Sequence, residues 1–181
     1  MATSRELEHA ALEWTRAELV RIWAELKLGN RIPGWDPGRA FEYLVIRAFH
    51  LEAPTDTRWP YIVTIPRQRL GSVEQIDGIV YVDGVAFLIE SKARDEPTAI
   101  DAIAKLRFRL EGRPPGTMGL LFSLRDYTTA TELFAQFAVP LNVLLWSAGD
   151  LDKALEHGTM ISSLRDKYRH AVEQGWAYHT L

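Results

Sequence analysis

Two acidic residues and a lysine, Asp77, Glu90 and Lys92, lie on either side of the dipeptide Asp83-Gly84. Asp-Gly is a strong signal for a two-residue β-turn, because both central positions favour positive φ. The stretch from residue 74 to residue 93 therefore reads as a β-hairpin. With Asp83 and Gly84 as the whole loop, Val82 faces Val85. The same register carried outward sets Asp77 across from Glu90, and Gln75 across from Lys92. Glu90 and Lys92 are two apart on a strand and share one face. Opposed carboxylates on neighbouring strands repel, a net cost unless a positive charge lies between them. A divalent cation removes that cost, so the register predicts a metal site with an ammonium beside it.

Composition narrows the chemistry further. The 181 residues contain no cysteine, which excludes disulfides, thiolate zinc sites, iron–sulfur clusters and thiol nucleophiles together. The five histidines, His9, His50, His157, His170 and His179, show no metal-ligand spacing, so any metal should be held by oxygen. A net charge of −3 speaks against a histone-like non-specific nucleic-acid binder. Charge is uneven, however: residues 58–113 carry nine Lys/Arg against eight Asp/Glu, while both flanks are net negative. Two of those acids are the proposed ligands, so a bound cation makes this middle segment distinctly positive. No apolar run approaches the roughly 18 residues needed to span a bilayer, and residues 1–6 lack a secretory pattern. A cytoplasmic protein without a membrane partner is expected.

Apolar residues at helical spacing predict a helix over 4–28, ended by Gly29 and Asn30. Asp36 followed by Pro37 is an N-cap with proline at the first helical position, and starts a helix running to about Leu51. A strand follows near Tyr61 to Pro66, then the hairpin. Beyond it come a helix over about 98–110, a strand Met118 to Ser123, a helix over 129–138 and a strand Asn142 to Trp146. Helices near 149–156 and 159–173 end the chain. This order predicts an α/β fold, a mixed sheet sandwiched by helices in one domain.

Asp77, Glu90 and Lys92, at this spacing on a hairpin between two helices, resemble the signature of the PD-(D/E)xK nuclease superfamily. Downstream, Gly119-Leu-Leu-Phe-Ser, the stretch Tyr127 to Ala138, Val143-Leu-Leu-Trp and Asp150-Leu-Asp-Lys-Ala-Leu are similar to the second half of the Mrr-type restriction endonuclease catalytic domain. The likeness covers about residues 36–156. It implies a restriction-endonuclease-like αβα sandwich with a mixed central sheet of about five strands. To this are added an N-terminal helical extension over 1–35 and a C-terminal helical tail over 157–181. Departures are Ser91, where such domains usually carry cysteine or another small residue, and the absence of glycine from Phe122 to Thr129.

The resemblance implies metal-dependent hydrolysis of DNA phosphodiesters in prokaryotic defence, with Mg²⁺ or Mn²⁺ as cofactor. Asp77, Glu90 and the backbone carbonyl of Ser91 are the implied metal ligands, hard oxygen donors that leave room for water and a phosphate oxygen. Lys92 orients the attacking water and stabilises charge on the phosphate. Glu42 matches the family's glutamate on the preceding helix; on a helical wheel it borders the buried stripe of Phe41, Leu44, Val45 and Ala48. An ordinary boundary glutamate is the plainer alternative. Gln75, Arg94, Lys105 and Arg109 are candidate phosphate contacts. Asp101, Lys105 and Arg109 also fall at successive i,i+4 positions, the pattern of a solvated helix face, which is preferred for Lys105 and Arg109. Trp14 and Trp23 suit core packing or else a dimer surface. His170, Trp176, Tyr178 and His179 pack, fray or dock. The helices before the first strand leave no room for a separate target-recognition domain. A homodimer or a partner targeting subunit is therefore expected. The alternatives are a resolvase-like, structure-specific endonuclease and a non-catalytic nucleic-acid-binding subunit that keeps the fold.

Overall fold

The described residues, 4–63 and 74–181 of the computed structural model, begin with two helices where the apolar spacing predicts one. Helix α1 (Ser4–Leu12) stops before α2 (Arg16–Lys27) because Thr15 forms a capping box with Glu18. The Glu18 N–H donates to the Thr15 hydroxyl, and the Thr15 N–H donates to the Glu18 carboxylate at 2.8 Å. That reciprocal cap competes with continuation of the upstream helix. Helix α3 (Pro37–Glu52) starts as expected, with the Asp36 carboxylate accepting from the N–H groups of Gly38 and Arg39. Then follow β1 (Thr57–Arg58), β2 (Tyr61–Val63), β3 (Glu74–Ile76), β4 (Gly78–Val82) and β5 (Val85–Lys92). The expected continuation of the first strand to Pro66 lies outside the described residues. The second half contains α4 (Ile100–Glu111), β6 (Met118–Ser123), α5 (Thr129–Phe137), β7 (Val143–Trp146), α6 (Ala148–His157) and α7 (Met160–Gln174), close to the predicted bounds.

Five strands form a mixed sheet in the order β1-β4-β5-β6-β7, antiparallel from β1 to β5 and parallel from β5 to β7. The hairpin turn is as the sequence dictates. Asp83 and Gly84 have φ of 52° and 80°, and Val82 faces Val85. Alternate side chains then enter opposite layers. Phe87, Ile89, Leu120, Phe122, Leu144 and Trp146 join the core under α2, α3, α6 and α7. Leu88, Leu121, Val143 and Leu145 join the core under α4 and α5. This is the αβα sandwich expected. Trp23 is buried in the first of these cores, with its indole N–H donating to Asp152 at 2.7 Å; Trp14 packs against Trp35. The tryptophans therefore serve packing, and the N-terminal helices share the hydrophobic core of the sandwich.

Two strand glycines set how closely the helices approach. A Cβ on Gly78 would lie 2.5 Å from the buried Ile46 side chain of α3 and 3.2 Å from the Arg58 carbonyl oxygen. One on Gly119 would lie 2.9 Å from Leu106 of α4. In the turn that lacks glycine, Asp126 takes the left-handed conformation, φ 58°, and its carboxylate accepts from the Ala148 N–H. A short polar side chain that bonds locally is the usual substitute for glycine there.

The chain from Ala177 onward packs rather than frays. The Ala177 carbonyl accepts from Leu145 at the free edge of β7, while Trp176 stays exposed. Beneath it lies a buried ion pair, Asp150 with Lys167 at 2.8 Å. Burial works to raise the Asp150 carboxyl, but the Lys167 charge and the hydrogen bonds from Leu181, Lys167 and Ser147 hold it below the usual carboxylate range. Burial likewise pulls the Lys167 ammonium below its usual value, with Asp150 opposing. Lys167→Ala leaves a buried acid uncompensated, and urea unfolding at pH 7 should show a loss of about 3–5 kcal/mol. Because the folded carboxyl is depressed, its contribution is complete above the ordinary carboxylate range and is lost as pH falls below about 4. The acid limb of the stability curve should flatten in the variant.

Candidate active site

The hairpin ladder ends at Gly78 opposite Ile89, because the segment before it pairs elsewhere: β3 lies against β2, with Gln75 opposite Ile62. Gln75 thus does not sit across from Lys92, correcting the register carried outward from the turn. Asp77 stands at the change of partner, one residue beyond the last rung. Its side chain is buried, and its carboxylate accepts from the Ser91 N–H at 2.8 Å. A side-chain oxygen here takes up a β5 N–H beyond the last rung.

Glu90 continues the alternation of Leu88 and points to the α4 side of the sheet, 4 % exposed. Lys92, two residues on, places its ammonium on Glu90 Oε1, as the strand period requires. The other oxygen, Oε2, is held by Arg109 of α4. The Arg109 Nε also lies 3.2 Å from Glu74, which receives Arg113 at 2.7 Å. Arg109 is therefore not on the solvated helix face. Lys105 is, exposed and 3.7 Å from Asp101; Arg94, just past the end of β5, is also exposed, 3.9 Å from the same carboxylate. Sequence reasoning missed Glu74 and Arg113, and for Arg109, a candidate contact, it preferred the solvated face. The four-residue spacing of Arg109 and Arg113 hinted at one helical face, but only the docking of α4 shows that this face meets β3.

Glu42 sits at the edge of the core on α3, with Arg39 at 3.5 Å. Burial raises its carboxyl, Arg39 opposes, and the Glu90 charge raises it further. Asp77 is pushed up to about 8 by burial, then by the charges of Glu90 and Glu42, against the Ser91 N–H and Lys92. The charge of Glu90 thus acts on both other acids that the sequence reading drew together, and Glu42 adds to its effect on Asp77. Ser91 lies opposite Phe122 in the ladder. Its side chain has the parity of Ile89, away from Glu90 and Lys92, and its buried hydroxyl has no hydrogen-bond partner among the described residues.

Among the described residues no three His, Asp or Glu side chains converge into a metal cluster by themselves. Mg²⁺, however, is commonly held by one or two carboxylates with waters and substrate phosphate. Asp77 and Glu90 offer hard oxygen donors in a buried, self-repelling pair, a donor set that fits such an ion.

The described part of the chain is similar to solved structures. VC1899 from Vibrio cholerae matches over 88% of this chain and 56% of its own, with a TM-score of 0.51 and 14% identity. The shared feature is the fold. The chain spans a little over half the length of VC1899. Looser likenesses are to the DNA modification-dependent restriction endonuclease AspBHI (TM-score 0.47, 15% identity, 97% of this chain and 43% of that one). A further one is to a Type III CRISPR defence DNA nuclease activated by cyclic oligoadenylate (TM-score 0.43, 16% identity, 81% and 23%). No family model matches the chain, and no curated protein matches it. No helix among the described residues is long and apolar enough to cross a membrane.

A buried acid beside two others costs stability when ionised. Asp77→Asn keeps an acceptor for the Ser91 N–H and removes a charge. In EDTA at pH 7.5 the variant should be more stable than wild type by about 1 kcal/mol, read from urea unfolding. The folded Asp77 carboxyl is raised, so wild-type stability should fall as pH rises from about 4 to about 8, and the difference between the two proteins should shrink toward pH 4. Equal or lower stability of the variant at neutral pH argues that Asp77 is an ordinary structural acid.

Proposed function

We propose that this chain is a metal-dependent nuclease that hydrolyses phosphodiester bonds in DNA, of the kind its likeness to Mrr-type catalytic domains implies. The observation that carries the reading is the buried apposition of Asp77 and Glu90 at the end of one ladder, with the Lys92 ammonium on Glu90. A structural role leaves the repulsion between these acids unexplained. Asp77, Glu90 and the Ser91 carbonyl would hold Mg²⁺ or Mn²⁺, which when bound supplies Lewis acidity toward the phosphate and acidifies water.

The chain's own side chains account for the rest. Lys92 orients the attacking water and offsets the charge that grows on the phosphate oxygens. Glu42, raised by burial and by Glu90, would accept the proton that this water loses; a carboxylate tuned toward neutral pH is a better base than a free one. Burial of Asp77 and Glu90 keeps bulk water from screening these charges.

Wild type incubated with supercoiled plasmid, linear duplex and single-stranded DNA should cleave with Mg²⁺ or Mn²⁺ and not with EDTA. Lys92→Ala should lower the rate about 100- to 1000-fold, and Glu42→Gln about 100-fold with an unchanged melting temperature. Cleavage that survives in EDTA, or that proceeds at the wild-type rate in Lys92→Ala, defeats the assignment.

A further inference from the structure

We infer that Arg109 is a resident counter-ion of this site: it holds Glu90 while no metal is bound, is displaced by a divalent cation, and then grips the DNA strand in the adjoining groove. The inference rests on the nuclease reading and adds to it a link between cation and substrate binding. Lys105, one turn earlier on α4, leaves 68% of its side chain in solvent, whereas Arg109 leaves 25% and reaches inward to Glu90 and Glu74. The two cations on Glu90 differ in what they permit. Lys92 takes Oε1 from the same strand, two residues away. Arg109 takes Oε2, from another layer of the fold. A metal ion and a guanidinium bonded to one carboxylate oxygen repel each other, so full ligation by Glu90 requires Arg109 to withdraw. The long arginine side chain can do so by rotation, without moving α4.

The place it withdraws to is at hand. Arg109 itself lines a groove of about 610 Å³, together with Gln75, Phe108, Arg113 and the carboxylates of Glu74 and Glu111. Arg113 keeps a second guanidinium at its wall, 2.7 Å from Glu74. Phe108 is 76% exposed there, an aromatic face open to solvent. A planar guanidinium suits a phosphate oxygen pair, and an exposed ring beside it suits an unstacked base. The groove therefore fits a single DNA strand, with Arg109 reaching its phosphates only after the cation has released it from Glu90.

Mn²⁺ binding to the full chain without DNA, measured by titration calorimetry, separates the possibilities. Arg109→Gln should bind Mn²⁺ about tenfold more tightly than wild type, the weight of one charge-assisted hydrogen bond, and Arg109→Lys should fall between them. Asp77→Asn should bind none. With Ca²⁺ in place of Mn²⁺, a fluorescent single-stranded oligonucleotide should bind wild type more tightly than it does in EDTA, and Arg109→Gln should lose most of that gain. If Asp77→Asn loses Mn²⁺ while a folded Arg109→Gln binds it no better than wild type, Arg109 is a structural tether and only this inference fails. If wild type binds no Mn²⁺, the inference fails together with the nuclease assignment.

Discussion

The repulsion between Asp77 and Glu90, buried side by side where a ladder ends, is the constraint around which the neighbouring elements are arranged. Three groups from two elements answer it. The Ser91 N–H donates to Asp77, Lys92 follows Glu90 along the strand, and α4 brings Arg109 across the sheet. Arg39 does the same on a smaller scale for Glu42. The helical members, Arg109 on α4 and Glu42 with Arg39 on α3, depend on how closely each helix can lie on the sheet. Helix α3 rests its Ile46 on Gly78, next in sequence to Asp77, and α4 rests its Leu106 on Gly119. A side chain at either glycine lifts a helix and withdraws Glu42 or Arg109 from the carboxylates, so positions with no chemistry of their own set the geometry of those that have it.

Much of this was legible in the sequence because it follows from periods and turn chemistry. Asp83-Gly84 determined the hairpin, and the two-residue period determined that Glu90 and Lys92 share a face and that Leu88 and Ile89 do not. Asp36-Pro37 marked the start of α3 because its cap is local. The alternation along β6 and β7 required two covering layers, and both are present. Thr15 and Glu18 carried an equally local signal, the capping box that divides the first helical stretch in two, but the apolar spacing runs through it and conceals the break.

What was not legible is what depends on which strand is whose neighbour. Gln75 is a plausible hairpin residue by any local rule, and only the presence of β2 as an alternative partner draws it into a second sheet. Arg109 belongs by spacing to the row of Asp101 and Lys105, and those two do pair in solvent as the i,i+4 pattern predicts. A helix is slightly out of phase with a four-residue repeat, so a row of that spacing drifts around the surface. By its third member it has turned from water to the sheet. Arg113, four residues further and just past the end of α4, completes the turn onto Glu74.

The chain also contains its own control for what burial does to an acid. Asp150 and Asp77 are both buried aspartates that accept backbone N–H groups, and burial alone pushes both upward. At Asp150 a buried lysine and three hydrogen bonds reverse the direction, leaving a satisfied ion pair that fastens α6, α7 and the last residues together. At Asp77 the strongest neighbours are other carboxylates, and the direction stands. Proteins stabilise a structural charge by completing its partners, and they leave charge uncompensated where something outside the chain is to complete it. The difference between these two aspartates, alike in type and in burial, is the physical ground for separating the site from the scaffold.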